Sequence, residues 1–163
     1  MSFRWFADLD FGLVGPIEPE CGPDGQPREF MPQSRYRHAA TTPLNAAGAG
    51  PFCRFKIGKG RNQPGLYVLT IDGEATYVGE CANLAVRWGL TQYGSISPKN
   101  CFRGGQSTNC RINGLILLAA KAGRTIQLWF RPLLVSTDER RGAETRLIQA
   151  LKPNWNRTKL ALR

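Results

Sequence analysis

The dipeptide Asp72-Gly73 stands between two short runs of strand-forming residues, Gly65-Leu66-Tyr67-Val68-Leu69-Thr70-Ile71 and Ala75-Thr76-Tyr77-Val78-Gly79. Asp-Gly tolerates the positive φ angles that a tight hairpin turn needs, so the two runs form a β-hairpin. A hairpin is marginal alone and must be covered by further elements, which the downstream sequence supplies. Asn83 can cap a helix over about Leu84 to Leu90 that carries Arg87. After a loop with Gly94, Pro98, Gly104 and Gly105, Ser107 or Thr108 can cap a second helix. Its apolar Ile112, Leu115, Ile116, Ala119 and Ala120 recur at three and four spacing, and Gly123 ends it. Thr125 to Leu134 reads as a third strand, with Pro132 limiting its length or placing it at an edge. Ser136 and Glu139 form a capping-box pattern for a last helix that runs to about Leu151 and stops before Pro153, burying Leu147, Ile148 and Leu151. The order implies an α/β fold of the α+β sandwich kind: a small three-stranded antiparallel or mixed sheet flanked by helices.

Residues 1–63 read differently, with turn markers at Gly22-Pro23-Asp24-Gly25 and Gly48-Ala49-Gly50-Pro51. Only Arg4 to Leu9 and Phe52 to Ile57 look strand-like there, so this stretch is expected to be an N-terminal arm or accessory segment. Gln63-Pro64 marks the junction to a domain over 64–163.

Charge is divided along the same line. Residues 1–64 carry eight basic and six acidic side chains (+2), whereas 65–163 carry fourteen and six (+8), which makes up the net +10. A basic excess on the C-terminal part points to a polyanion, either nucleic acid or an acidic membrane surface. There is no run of about 18 apolar residues and no signal-like apolar core after Met1, so the expectation is a soluble, cytoplasmic protein with no membrane partner. Five cysteines, Cys21, Cys53, Cys81, Cys101 and Cys110, form neither a paired disulfide framework nor a CxxC zinc pattern.

The C-terminal part carries side chains suited to cleaving a phosphodiester: cations for the phosphate oxygens, a carboxylate for a hard divalent ion, and groups that hold a water. The single histidine, His38, lies outside it, which leaves Tyr, Lys or a metal-bound water to handle the proton. Tyr67 and Tyr77, on neighbouring hairpin strands, can bring their hydroxyls together. The mixture of Arg103, Asn109 and Arg111 with Ser107 and Thr108 suits contacts to phosphate and base edges, and equally suits the capping of a helix. Tyr93 and Phe102 are fit for stacking or for the core.

Gly65-Leu66-Tyr67 and Tyr77-Val78-Gly79, nine residues apart, resemble the signature of the GIY-YIG nucleases. The resemblance continues through Asn83-Leu84 with Arg87 and Trp88, then Glu144 with Leu147-Ile148, and Pro153 with Asn156, over about residues 64 to 157. It implies a metal-dependent endonuclease that hydrolyses DNA. Tyr67 would activate or orient the water with Tyr77 in its hydrogen-bond network, Arg87 would hold the scissile phosphate, and Glu144 would be the protein ligand to Mg²⁺ or Mn²⁺. Gly79 and Asn156 would lie at the substrate. Double-stranded DNA, a restriction or mobile-element role, and a homodimer for cutting both strands are the expectations that follow. A non-catalytic DNA-binding module, or a repair or RNA-directed nuclease with the same site, remain the alternatives. Two positions depart from the family pattern: Glu80 follows Gly79, and Thr91 stands where many members have His or Tyr. Tyr93, Lys56 or Lys59 could supply what Thr91 lacks.

Overall fold

A computed structural model describes residues 1–157, so the last six residues of the 64–163 segment lie outside it. Five strands form one antiparallel sheet: β1 (Phe3–Phe6), β2 (Leu9–Pro16), β3 (Gly65–Ile71), β4 (Glu74–Cys81) and β5 (Ile126–Pro132), in the order β1-β2-β5-β3-β4. Three α-helices accompany it among the described residues, α1 (Leu84–Arg87), α2 (Ser107–Lys121) and α3 (Thr137–Leu151).

The expected three-stranded sheet is therefore corrected to five strands, all antiparallel. The missing pair comes from the N-terminal segment, where Arg4 to Leu9 is not one strand: the chain turns at Ala7 and Asp8 and returns as β2. With Gly12, Gly15 and Pro16 in it, β2 has weak strand propensity of its own. It is held by tertiary contacts instead, pairing with β5 through Gly12↔Phe130 and Leu13↔Trp129, and burying Phe11 completely against Phe6. β5 is consequently a central strand, and Pro132 is its last residue. Phe52 to Ile57 is not a strand and forms a single bridge, Phe30↔Phe52. The side chain of Asn113 replaces a strand partner for Cys53, accepting from its N–H at 2.8 Å and donating to its carbonyl at 2.9 Å.

The 2-residue period of β3 divides the core between the two faces of the sheet. Tyr67, Leu69 and Ile71 pack with Leu84, Trp88, Ile112 and Ile116 on one face; Leu66 and Val68 pack with Val78, Trp129 and Leu147 of α3 on the other. The capping box forms as the sequence indicates, with Ser136 Oγ accepting from the Glu139 N–H at 3.2 Å and Glu139 Oε2 from the Ser136 N–H at 3.0 Å. Helix α1 is a single turn capped by Asn83, shorter than expected. α2 starts at Ser107 with no side-chain cap. Among the described residues no helix is long and apolar enough to cross a membrane.

Candidate active site

Register places the two signature tyrosines. In the β3–β4 hairpin Tyr67 pairs with Gly79 and Leu69 with Tyr77, so both tyrosines lie on one face as diagonal neighbours, their rings 6.1 Å apart. Their hydroxyls meet through Tyr93: Tyr77 Oη lies 2.9 Å and Tyr67 Oη 3.5 Å from Tyr93 Oη. Of the three residues that could supply what Thr91 lacks, Tyr93 lies among the hydroxyls, while Lys56 and Lys59, like Thr91 itself, are exposed. Gly79 has a plain steric reason: a Cβ there would overlap the hydroxyl and ring of Tyr67. Trp88 closes the cluster, edge-on to Tyr67 at 5.3 Å and to Tyr93 at 4.8 Å, and its buried indole N–H has no partner among the described residues.

Burial holds both signature phenols in the neutral form. The Tyr67 pKa lies well above the ordinary tyrosine value because the ring is desolvated and crowded by Tyr93 and Tyr77, with Arg87 working the other way. Tyr77 is raised for the same leading reason. A neutral hydroxyl can orient a water and pass hydrogen-bond polarity along the Tyr67–Tyr93–Tyr77 chain; it is not a standing phenolate.

Arg87 ends α1, with its guanidinium carbon 5.9 Å from the Tyr93 ring centroid. Burial disfavours its charge, but the oxygens of Tyr67 and Tyr93 outweigh that and it stays cationic. From the opposite face of the sheet, α3 brings Glu144 into the same field. Its pKa is raised by burial first and by the Glu80 carboxylate second, and is opposed by the Glu80 backbone N–H, Arg87 and Arg141. Arg87 thus acts on both Tyr67 and Glu144, and Glu144 lies beside Glu80 near the end of β4.

Glu80, the unexpected acidic residue, is committed elsewhere. Arg140 Nε donates to its Oε2 at 3.1 Å, and Arg141 lies 3.9 Å from Oε1. Arg140 is 6% exposed and also donates to the Val135 carbonyl at 2.9 Å and to Thr137 Oγ1 at 3.2 Å. This bridge fastens α3 to β4, and Glu144 lies one helical turn beyond Arg140. The sequence carried only a faint signal for it, an acidic residue at a strand end and an arginine in the first turn of a helix.

Glu144 is the residue that suits a hard cation: a half-buried carboxylate, with Glu80 beside it and no ion pair to a described residue. Mg²⁺ is held by one or two carboxylates together with water and phosphate oxygens, so this donor fits. Among the described residues no group of three or more His, Cys, Asp or Glu could hold a metal.

The other candidates divide. Arg111 borders the tyrosines, its pKa lowered by burial and opposed by Tyr77, and its Nη1 donates to the Trp155 carbonyl at 2.7 Å. Asn109 lines a polar cleft of about 440 Å³ that Arg87 also lines. Arg103 stands apart and exposed. Asn156 spends both amide atoms on Val78, accepting from its N–H and donating to its carbonyl at 2.8 Å each, which closes the outer edge of β4.

No family model matches the chain, and no curated protein matches it. Among solved structures it is similar to that of a point mutant of bacteriophage T4 EndoII, at 19% sequence identity and a TM-score of 0.48, over 71% of this chain and 87% of that chain.

Proposed function

We propose that this chain is a metal-dependent endonuclease of the GIY-YIG type that hydrolyses phosphodiester bonds in double-stranded DNA. The observation that carries the reading is the hydroxyl cluster of Tyr67, Tyr93 and Tyr77 with the Arg87 guanidinium carbon 5.9 Å from the Tyr93 ring centroid, an arginine whose charge also acts on Glu144. A hydroxyl, a planar cation and a desolvated carboxylate are the groups such a hydrolysis uses. The match of the hairpin to the signature motif supports it, as does the +8 charge on 65–163.

In the reaction a water oxygen bonds to phosphorus while the bond to the leaving oxygen breaks; the attacking water gives up a proton and the leaving oxygen gains one. Tyr67, held neutral and backed by Tyr93 and Tyr77, orients that water. Arg87 grips the nonbridging oxygens with its planar fork as negative charge builds on them. Glu144 would hold Mg²⁺ or Mn²⁺, while Arg140 engages the neighbouring Glu80. Bound there, the ion supplies Lewis acidity, neutralising phosphate charge and acidifying nearby water.

The engagement of Glu80 by Arg140 and the presence of Tyr93 among the hydroxyls favour an enzyme over a binding module that has lost its chemistry. A single site cuts one strand, so a restriction-type double-strand break takes two copies of the chain or two successive nicks. Incubating the protein with plasmid, single-stranded DNA and RNA, each with Mg²⁺ or EDTA, tests the reading. Metal-dependent cutting of plasmid is expected, and cutting that EDTA leaves intact would refute it.

A further inference from the structure

The polar cleft beside Arg87 has no role in the chemistry above. One side is formed by Arg87 and Gln92, the other by Ser97, Asn100, Gln106 and Asn109, where the N-terminal turn of α2 begins. Its volume of about 440 Å³ lies in the range that holds a small molecule or one nucleobase, roughly 300–1,000 Å³.

Three features define what would fill it. Every lining side chain is polar and only Arg87 is charged. A pocket for phosphate alone would gather cations; amides instead offer a donor and an acceptor side by side, which is the pattern of a base edge. Asn109 is 7% exposed, and its side chain, hydrogen-bonded to no described residue, keeps its amide atoms open to solvent at the cleft. No aromatic side chain lines the cleft, so recognition proceeds by hydrogen bonds and not by stacking.

The wall is also fixed in advance. Asn100 Oδ1 accepts from the Gln106 N–H at 3.1 Å, and the Asn100 carbonyl accepts from Asn45 Nδ2 at 2.6 Å and from Cys110 Sγ at 3.1 Å. Asn100 and the Gln106 backbone are thus held by loop bonds that need no ligand.

We infer that this cleft reads the base adjoining the scissile phosphate, with Gln92, Gln106 and Asn109 as the reading groups and Arg87 joining base to phosphate. The inference rests on the nuclease reading and adds the position at which sequence is sensed. Paired amide groups favour adenine, whose N6 and N7 present a donor and an acceptor together.

The test uses the full chain with Mg²⁺ on a pool of duplexes randomised in sequence, with the cut ends sequenced for wild type, Gln106→Ala and Asn109→Ala. Wild type is expected to enrich adenine at the position next to the cut by about fivefold or more. Both variants should flatten that position and leave the preferences at other positions unchanged. Should Asn109→Ala fail to fold, Gln106→Ala, at an exposed position, decides alone. Wild-type ends without bias at that position, or variants that keep the bias, would overturn the inference while leaving the nuclease reading intact. A uniform slowing over all sequences with the bias retained would mark phosphate contact only and overturn it too. A wild-type protein that cuts nothing removes the nuclease reading and this inference with it.

Discussion

The ring of Tyr67 lies across Gly79, its partner on the neighbouring strand, so closely that a methyl group on Gly79 would overlap the Tyr67 hydroxyl. The second glycine of the signature hairpin is thus the floor on which the first signature tyrosine rests. Gly79→Ala is expected to push the hydroxyl away from Tyr93, destabilising the fold by about 1–3 kcal/mol through overpacking. Cleavage should fall with it. Denaturant unfolding and a cleavage assay on the same preparation check both.

Arg140 and Glu80 form a nearly dry ion pair that holds α3, and through it Glu144, against β4. Removing one member leaves the other charge without its partner. Arg140→Ala should cost about 3 kcal/mol, the lower end for a broken buried pair, because Arg141 lies near enough to Glu80 to compensate in part. Glu80→Gln, which keeps a hydrogen-bond acceptor for Arg140, should cost less. Thermal unfolding of the two variants side by side checks the order.

Glu144 makes the stability of the fold depend on pH. A carboxyl whose folded-state pKa is raised stabilises the fold only while it is protonated; that contribution is complete below the unfolded pKa and lost as pH rises through the folded one. Glu144→Gln should therefore melt above wild type at neutral pH, and the gap should close at about pH 3, below the ordinary carboxylate range. A variant that is more stable and less active is the expected signature of a functional carboxylate held in an unfavourable place. Melting curves across about pH 3 to 8 give the comparison.

Arg87→Lys keeps the charge and removes the planar fork. If Arg87 grips two oxygens of the phosphate, the cleavage rate should fall by about 100-fold or more while the melting temperature changes little. Single-turnover cleavage measures the first and a thermal melt the second.

How much of this could be read from the chain differs by element. The β3–β4 hairpin, the capping box at Ser136 and the stops of α2 and α3 were legible because each rests on contacts between near neighbours in sequence. β2 was not, since Gly12 and Gly15 become strand residues only through Phe130, Trp129 and Leu128, more than a hundred positions away, and β1 was legible only as part of a longer run, Arg4 to Leu9, that turns at Ala7 and Asp8. The same holds within the site. Tyr67, Tyr77, Arg87 and Glu144 could be singled out by residue type and motif. The tie between Glu80 and Arg140, the employment of Asn156 by the Val78 backbone and the central position of Tyr93 depend on how strands and helices meet.

The central claim is that Tyr67, Arg87 and Glu144 form one metal-assisted hydrolytic site, and the most direct measurement is the single-turnover rate of plasmid nicking for wild type and Glu144→Gln across a Mg²⁺ titration. The account predicts Mg²⁺-dependent nicking by wild type and a loss of at least about 100-fold in the variant at saturating metal, with its fold intact. Nicking by Glu144→Gln at the wild-type rate, or nicking by either protein that persists in EDTA, would contradict it.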